Sequence, residues 1–409
     1  MNGSKSRPEP IEESRPVTGS KPARRFVAGY LNDIPRSGIR DFFDIVSARK
    51  DVISLGIGEP DFVTPWHIRE ASITALDRGA TTYTSNRGLI ELRRQIARYL
   101  WRAFNVAYDP ETEILITVGV SEALDLAMRA ILEPGDEVLY HEPCFVSYNP
   151  EIRFAHGVPV PVVTRRENGF RLTRAMLEEK VSPRTKALLL SFPTNPTGAT
   201  LAREDIEGIA AFAKAHDILV ITDEIYSELT YQGERVSIAS VPGMKERTIF
   251  LHGFSKGWAM TGFRLGYACA PVELSEAMMK IHQYIMMCAP ILSQKAAIEA
   301  LKSDFDTNEM RASYEHRRNF ICAGLNEAGI PCHVPNGAFY VFPYVGDYGL
   351  TSKDFALRLL DEENVACVPG SAFGASGEGF LRCSYSTDLE AIKEAVVRMG
   401  RFVARLRKG

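Results

Sequence analysis

The residues that could do chemistry begin with a lysine. In His252-Gly-Phe-Ser-Lys256-Gly-Trp-Ala-Met-Thr-Gly-Phe-Arg264, Lys256 directly follows a run that reads as a buried strand. Partial desolvation at such a place lowers the pKa of an amine and frees it to attack a carbonyl. Arg264, further along the same stretch, can clamp a phosphate with two parallel N–H donors. A surface lysine beside a structural arginine is the plainer account, because ion-pair networks hold the same residue types. A third chemistry is spelled in the same place. Gly253-Phe-Ser255-Lys-Gly257 fits the G-x-S-x-G nucleophile elbow, with Asp306 and His316 as the downstream acid and histidine. That pattern is short and easily met by chance.

Other segments offer partners for a ligand. Thr222-Asp223-Glu-Ile-Tyr226 ends a hydrophobic run. A carboxylate there faces the crevice beyond the carboxyl ends of the strands, and when buried it wants a cation such as a protonated pyridine nitrogen. Helix capping is the alternative role for Asp223. In Ser191-Phe-Pro-Thr-Asn195-Pro-Thr-Gly198, the Asn195 amide can donate to a ligand oxygen, or the segment is only a turn. Gly119-Val120-Ser121 leads into a helix, whose first N–H groups suit phosphate, while Ser121 could simply cap. Phe145 is either core or a flat surface on which a ring stacks. Arg382, in an otherwise apolar strand, needs an anion: a substrate carboxylate or a structural acid. Leu55-Gly-Ile-Gly58 lacks the third glycine of a dinucleotide fingerprint, and no P-loop or metal-ligand spacing occurs.

These residues must be positioned by regular elements. From about Asp51 the pattern is strand, turn and helix, repeated. Runs at 113–118, 137–140, 187–191, 218–222, 248–252 and 265–269 read as short buried strands, with a helix at 121–132. Buried runs alternating with helices predict an α/β fold with a mostly parallel sheet covered on both faces. A helical stretch over 272–302 is broken near Pro290. Helix 307–328, strand 338–343, helix 352–363, strands 365–368 and 380–385 and a C-terminal helix then predict a smaller α+β layer. The domains expected are a disordered tail (1–25), an N-terminal segment packing with the small domain (26–50), a large domain (51–300) and a small domain (301–409). The tail is rich in Ser, Pro and charge and cannot bury enough apolar surface to order itself.

Composition bounds the function. The 409 residues are 45% hydrophobic and 24% charged, an ordinary globular mix. Net charge is −3, from 48 basic and 51 acidic residues, which argues against a nucleic-acid or membrane-surface binder. Seven widely spaced cysteines without a C-x-x-C suggest reduced thiols in the cytoplasm. No apolar run reaches the ~18 residues that span a bilayer.

Taken together, the segments resemble the class I/II pyridoxal-phosphate aminotransferases, the aspartate-aminotransferase-like group of fold type I. The resemblance covers about residues 30–405. It rests on Gly58-Glu-Pro-Asp-Phe, Tyr83-Thr before Gly88-Leu-Ile-Glu-Leu-Arg93, Gly119-Val-Ser-Glu-Ala, Asn195-Pro-Thr-Gly, Asp223-Glu-Ile-Tyr226, Ser255-Lys256 to Arg264, Asn336-Gly-Ala-Phe339 and Arg382-Cys-Ser. It implies a large domain with a mostly parallel seven-stranded sheet and a smaller α+β domain. Lys256 then forms a Schiff base with pyridoxal phosphate and shuttles the proton, Asp223 pairs with the pyridinium nitrogen, and Tyr226 and Asn195 hydrogen-bond the ring oxygen. Phe145 stacks on the ring. Arg264, Ser121 and the N–H groups of Val120 and Ser121 hold the phosphate. Arg382 grips the substrate α-carboxylate with help from Asn195 and the backbone of Gly58. Tyr83 reaches the phosphate of the other subunit in a homodimer.

The resemblance implies transfer of an amino group from an α-amino acid to a 2-oxo acid, in two half-reactions. Gly253 departs from the serine that the family commonly has three residues before the lysine, so Ser255 is the candidate replacement contact. Other reactions on the same scaffold, a C–S lyase or a cyclopropane-forming synthase, are the alternatives, with a Ser255 hydrolase remote from them. A cofactor-binding transcription regulator would need a DNA-binding module, for which the tail is too short. Acidic, aromatic and small aliphatic donors all stay open. A second cation for an acidic side chain could come from Arg36 or Arg129, although exposed or ion-paired roles suit both better.

Overall fold

The structure, a computed structural model, describes residues 26–34, 38–39, 45–46, 49 and 51–407. It forms two units, one ending at Pro35 and the other running from Arg36. The first contains a short 3-10 turn, Gly29–Asp33. The expected tail, 1–25, lies outside the described residues.

The second unit opens with β1 (Ile53–Ser54), α1 (Trp66–Asp77), α2 (Ile90–Phe104) and β2 (Ile114–Thr117). Next come α3 (Gly119–Ile131), β3 (Glu137–Glu142), α4 (Tyr148–Phe154), β4 (Val158–Val163), α5 (Arg174–Glu178) and β5 (Thr185–Leu190). Then follow α6 (Arg203–Ala215), β6 (Leu219–Asp223), β7 (Thr248–Gly253), β8 (Gly266–Cys269), α7 (Val272–Ile285), α8 (Ile291–Ala300) and α9 (Phe305–Glu327). The chain ends with β9 (Tyr340–Val341), α10 (Ser352–Glu363), β10 (Val365–Ala366), β11 (Val368–Pro369), β12 (Leu381–Ser384) and α11 (Leu389–Leu406).

Seven strands form one sheet in the order β2-β8-β7-β6-β5-β3-β4. Strand β8 alone is antiparallel to its neighbours; the pairs β7-β6-β5-β3-β4 are parallel. Strands β2, β3, β7 and β8 are buried at every residue, which is why their central residues are apolar. Strand β4 has no counterpart in the sequence reading. Its Val-Pro-Val-Pro-Val-Val carries two prolines that cannot donate to a ladder, and it sits at the sheet edge, where proline is tolerated.

Two apolar layers close on the sheet. One gathers α3 and α7 residues such as Leu126, Met128 and Met278 against β2, β3 and β7. The other sets Ile206, Ile209 and Phe212 of α6 against Leu188 and Val220. The smaller layer has its own core, where Ile392, Met399 and Phe402 of α11 meet Ile321, Leu325 and Phe355. Their spacing along α11 is that of one helical face. Val46, Val52 and Ile53 pack against this core, and Arg49 pairs with Asp361 at 2.6 Å.

The short strands depart most from expectation. The run expected as one strand over 365–368 splits because β10 pairs with β1 in parallel, whereas β11 pairs antiparallel with β12. The strand expected over 338–343 shrinks to two residues.

Candidate active site

Strand direction decides what meets. The carboxyl ends of β2, β3, β5, β6 and β7 lie along one edge of the sheet, and antiparallel β8 begins at that same edge. Gly119 to Ser121 follow β2, Phe145 follows β3, Asn195 follows β5, Asp223 ends β6, Lys256 follows β7 and Arg264 precedes β8. This is the crevice at which open α/β sheets bind ligands. A cavity of about 390 Å³ opens here, lined by Val120, Ser121, Phe145, Asn195, Asp223, Lys256 and Arg264 with Gly58, Tyr226, Ser255 and Arg382. Every expected cofactor or substrate contact therefore lines one cavity except Tyr83, which is 80% exposed.

The lysine is as the desolvation argument requires. Lys256 Nζ donates to the Gly58 carbonyl at 2.7 Å. Its pKa is lowered to about 8, chiefly by burial, with the Glu59 and Asp223 charges opposing and the Arg382 and Arg264 charges adding to the shift. A free amine is thus present near neutral pH. The aromatic faces of Tyr226 and Phe339 lie 5.9 and 5.8 Å from the nitrogen.

Asp223 is buried, and burial raises its pKa, opposed by hydrogen bonds and by the His252 and Lys256 charges. Tyr148 donates its hydroxyl to Oδ2 at 2.9 Å, and the Ile225 N–H donates to Oδ1 at 3.2 Å. The capping role is real but local, a turn rather than a helix start. Tyr226 shares a hydroxyl–hydroxyl hydrogen bond of 2.7 Å with Tyr340. Tyr148 and Tyr340 were not picked out as functional from sequence. Their only signal was adjacency: Tyr148 ends the segment containing Phe145, and Tyr340 follows Asn336-Gly-Ala-Phe339.

An anion subsite lies at the start of α3. The helix begins at Gly119, its N-cap is Val118, and Ser121 does not cap it. Gly119 has φ +76°, and a Cβ there would stand 2.7 Å from Nη2 of Arg264. The guanidinium therefore rests on the bare glycine backbone, with Arg264 itself left-handed at φ +51° and donating to the Thr261 carbonyl at 3.1 Å. A helix N-terminus and a guanidinium beside it both favour negative charge. Gly253 sits behind them: a Cβ there would meet Leu265 O and Val120 Cγ2 at 3.0 Å. Backbone contact explains the glycine at the position where the family has serine.

A second anion subsite centres on Arg382, which is 2% exposed. Its Nη1 donates to Asn195 Oδ1 at 3.1 Å and its Nη2 to Gly56 O at 2.5 Å. Its Nε is buried without a partner, and no carboxylate pairs with it among the described residues. The structural-acid reading of Arg382 therefore fails. With Oδ1 accepting from Arg382, the Asn195 NH2 is the part left to donate.

The hydrolase constellation is not assembled. Asp306 pairs with His67 at 3.5 Å, and neither Asp306 nor His316 lines the cavity. Both lie on α9, ten residues apart, which is about 15 Å of helix.

The residues present fit pyridoxal phosphate: a depressed amine, a buried carboxylate for a ring cation, and a cationic cradle at a helix start. The family profile for aminotransferase class I and II matches residues 50–399. A putative aminotransferase of Bacillus subtilis is 53% identical over 379 residues, spanning 92% of this chain and 98% of the relative. An aspartate aminotransferase of Pyrococcus abyssi is 48% identical over 373 residues, spanning 90% and 96%. The crystal structure of an aromatic aminotransferase from Pyrococcus horikoshii superposes with a TM-score of 0.86 at 46% identity, covering 90% and 99%.

Proposed function

We infer the roles of the cavity residues from one premise: the chain belongs to the class I and II aminotransferases, a pyridoxal-phosphate-dependent family that transfers amino groups. The chain is then an aminotransferase that moves the amino group of an α-amino acid to a 2-oxo acid. When bound, the cofactor supplies an aldehyde carbon that condenses with amines and a ring that accepts electron density.

Each residue's part follows from its chemistry. Lys256 would hold the cofactor through Nζ and would carry the proton as general base and acid. Its lowered pKa supports both tasks, because a base works best with a pKa near the operating pH. Asp223 pairs with the ring nitrogen and keeps it protonated. Tyr226 and Asn195 hold the ring oxygen, and Phe145 packs on the ring face. Arg264, Ser121 and the N–H groups of Val120 and Ser121 bind the phosphate, with Ser255 as the candidate for the contact that Gly253 cannot make. Arg382 binds the substrate α-carboxylate, with Asn195 and the Gly58 backbone. The single observation that carries this reading is the partnerless Nε of Arg382 in the cavity that holds Lys256.

The working form proposed is a cytoplasmic homodimer in which Tyr83 crosses to the partner's phosphate. The exposed Tyr83 ring and seven unpaired cysteines support it. A large domain over 51–300 and a small one over 301–409 are part of the same proposal, as is the packing of the 26–50 segment with the small domain, which Val46 and Arg49 support for its later part.

Borohydride reduction of protein incubated with pyridoxal phosphate tests the reading. A permanent adduct on Lys256 is the expected result, and an adduct elsewhere overturns it. Amine exchange with 2-oxoglutarate or pyruvate then separates an aminotransferase from a lyase, which would release pyruvate and ammonia without an acceptor. Sedimentation of the cofactor-loaded protein tests the dimer.

A further inference from the structure

Tyr340 lines the cavity, and the roles above leave it without a part. It opens β9 and is fully buried. Its hydroxyl and that of Tyr226 share the hydrogen bond of 2.7 Å. Its ring lies beneath the guanidinium of Arg382, with Cζ 4.6 Å from the centroid. The strand register accounts for the second contact. Ser384 of β12 is the direct partner of Tyr340, so Arg382, two residues before Ser384, is a diagonal neighbour on the same face. One side chain thus touches both the phenol assigned to the cofactor and the cation assigned to the substrate.

Hydrogen-bond counting gives the first contact a direction. A phenol has one proton to donate and lone pairs with which to accept. Burial pushes the phenols of Tyr226 and Tyr340 upward, with the Arg382 charge opposing in each case, so both keep their protons near neutral pH. An ionised ring oxygen of the cofactor only accepts, so the Tyr226 proton goes to it. Tyr340 then donates to Tyr226 rather than receiving from it. Donation into a hydroxyl oxygen polarises that hydroxyl and strengthens the next bond in the chain. Gly58 shows how closely the Tyr340 hydroxyl is set: a Cβ there would stand 2.7 Å from it, and the carbonyl of the same glycine receives the Lys256 amine. The second contact holds Arg382 without using a donor, because an aromatic face attracts a guanidinium through its π-electrons. Phe373 makes a like contact at 4.9 Å. The partnerless Nε thereby has a fixed place.

We propose that Tyr340 is a positioning residue for cofactor and substrate alike: its hydroxyl donates to Tyr226, so that the single Tyr226 proton is committed to the cofactor's ring oxygen, and its ring seats the Arg382 guanidinium for the substrate carboxylate. The proposal rests on the roles given to Tyr226 and Arg382. Its two functions reside in different atoms of one side chain and are separable. Tyr340→Phe removes the oxygen and keeps the ring, whereas Tyr340→Leu removes both.

Two ligands of the full chain read the first function: pyridoxamine phosphate, which carries the ring hydroxyl, and its 3-deoxy analogue, which lacks it. Tyr340→Phe is expected to weaken binding of the first about three- to tenfold and of the second by less than about 1.5-fold. Propionate, an unreactive carboxylate titrated into the cofactor-loaded protein and followed by absorbance, reads the second function. Tyr340→Phe should bind it within about 1.5-fold of the natural sequence, and Tyr340→Leu about threefold more weakly or worse. A merely structural tyrosine would lower the thermal midpoint and weaken both pyridoxamine ligands alike. Equal weakening of the two in Tyr340→Phe, or no weakening of either, overturns the proposal. So does a propionate affinity that is unchanged in Tyr340→Leu or that falls equally in Tyr340→Phe. Should Tyr340→Leu not fold, Tyr340→Met takes its place. Failure of the parent reading looks different: the unsubstituted protein then forms no adduct at Lys256.

Discussion

Arg318 and Arg382 are both 2% exposed, and they are treated in opposite ways. Arg318, in α9, spends every donor group inside the smaller layer. It donates to Pro335 O at 3.1 Å, to Glu315 Oε1 at 3.1 Å and through Nε to Asn319 Oδ1 at 3.1 Å, and it lies over the Tyr231 ring. Arg382, on β12, has an amide oxygen and a carbonyl, no carboxylate among the described residues, and an idle Nε, and burial lowers its pKa. A buried cation without a counter-ion is costly. The Arg318 surroundings remove that cost with an internal acid, whereas those of Arg382 leave it standing, which makes sense where a ligand carboxylate completes the pair. The comparison teaches that incomplete satisfaction, rather than burial itself, marks the functional cation.

Four experiments break or sharpen it. The largest effect is expected on the site side: Lys256→Ala removes the nucleophile and proton carrier together and should lower turnover by about 10⁴-fold or more. The fold should persist, because the side chain makes one hydrogen bond, to Gly58 O. Wild-type-like turnover would remove the site from which the comparison starts.

Second are paired substitutions at the two arginines. Arg382→Leu should cut kcat/KM for α-amino acids by about a hundredfold to several thousandfold, matching about 3–5 kcal/mol for a lost charge pair. Stability should be unchanged or higher, since an unpaired buried cation is gone. Arg318→Leu should do the reverse, costing about 2 kcal/mol in denaturant unfolding with activity within a few-fold. Equal stability losses at both positions would erase the contrast.

Third is pH. The folded pKa of Lys256, about 8, lies below the ordinary lysine value of 10.5. Charging it therefore opposes folding below pH 8, and the penalty fades as pH rises from 8 to 10.5, where the unfolded chain holds the extra proton. Without cofactor, Lys256→Met should be more stable than the natural sequence at pH 7, with the gap closing above pH 8 in urea titrations. The rate of cofactor attachment should rise with a midpoint near pH 8.

The smallest effect belongs to Glu151, a carboxylate at the cavity wall. Its pKa is raised to about 7, chiefly by burial, with the Asp125 charge in the same direction and Arg129 opposing. A raised carboxylate loses stability as pH climbs from its unfolded value of 4.5 toward 7. Glu151→Gln should flatten that slope, seen as a thermal midpoint that falls less between pH 5 and 8. An unchanged slope would remove Glu151 from the set of incompletely satisfied groups.

What was legible in the sequence was whatever is written locally. Alternating buried runs and helices specified the α/β sheet, because a strand covered on both faces must be apolar throughout. Lys256, Asp223, Asn195, Phe145 and Gly119 were found because each lies at or within a few residues of a strand's carboxyl end. The proline-bearing edge strand β4 escaped because its pairing is not written in apolar periodicity, and Tyr148 and Tyr340 escaped because their partners lie elsewhere in the chain. Only the fold decides that Arg382 has an empty Nε, that Tyr340 meets Tyr226, and that β8 runs backward to bring Arg264 over Gly119. Such facts depend on which distant groups share a small dry volume, and burial there turns an ordinary lysine or arginine into an amine that reacts or a cation that waits for its anion.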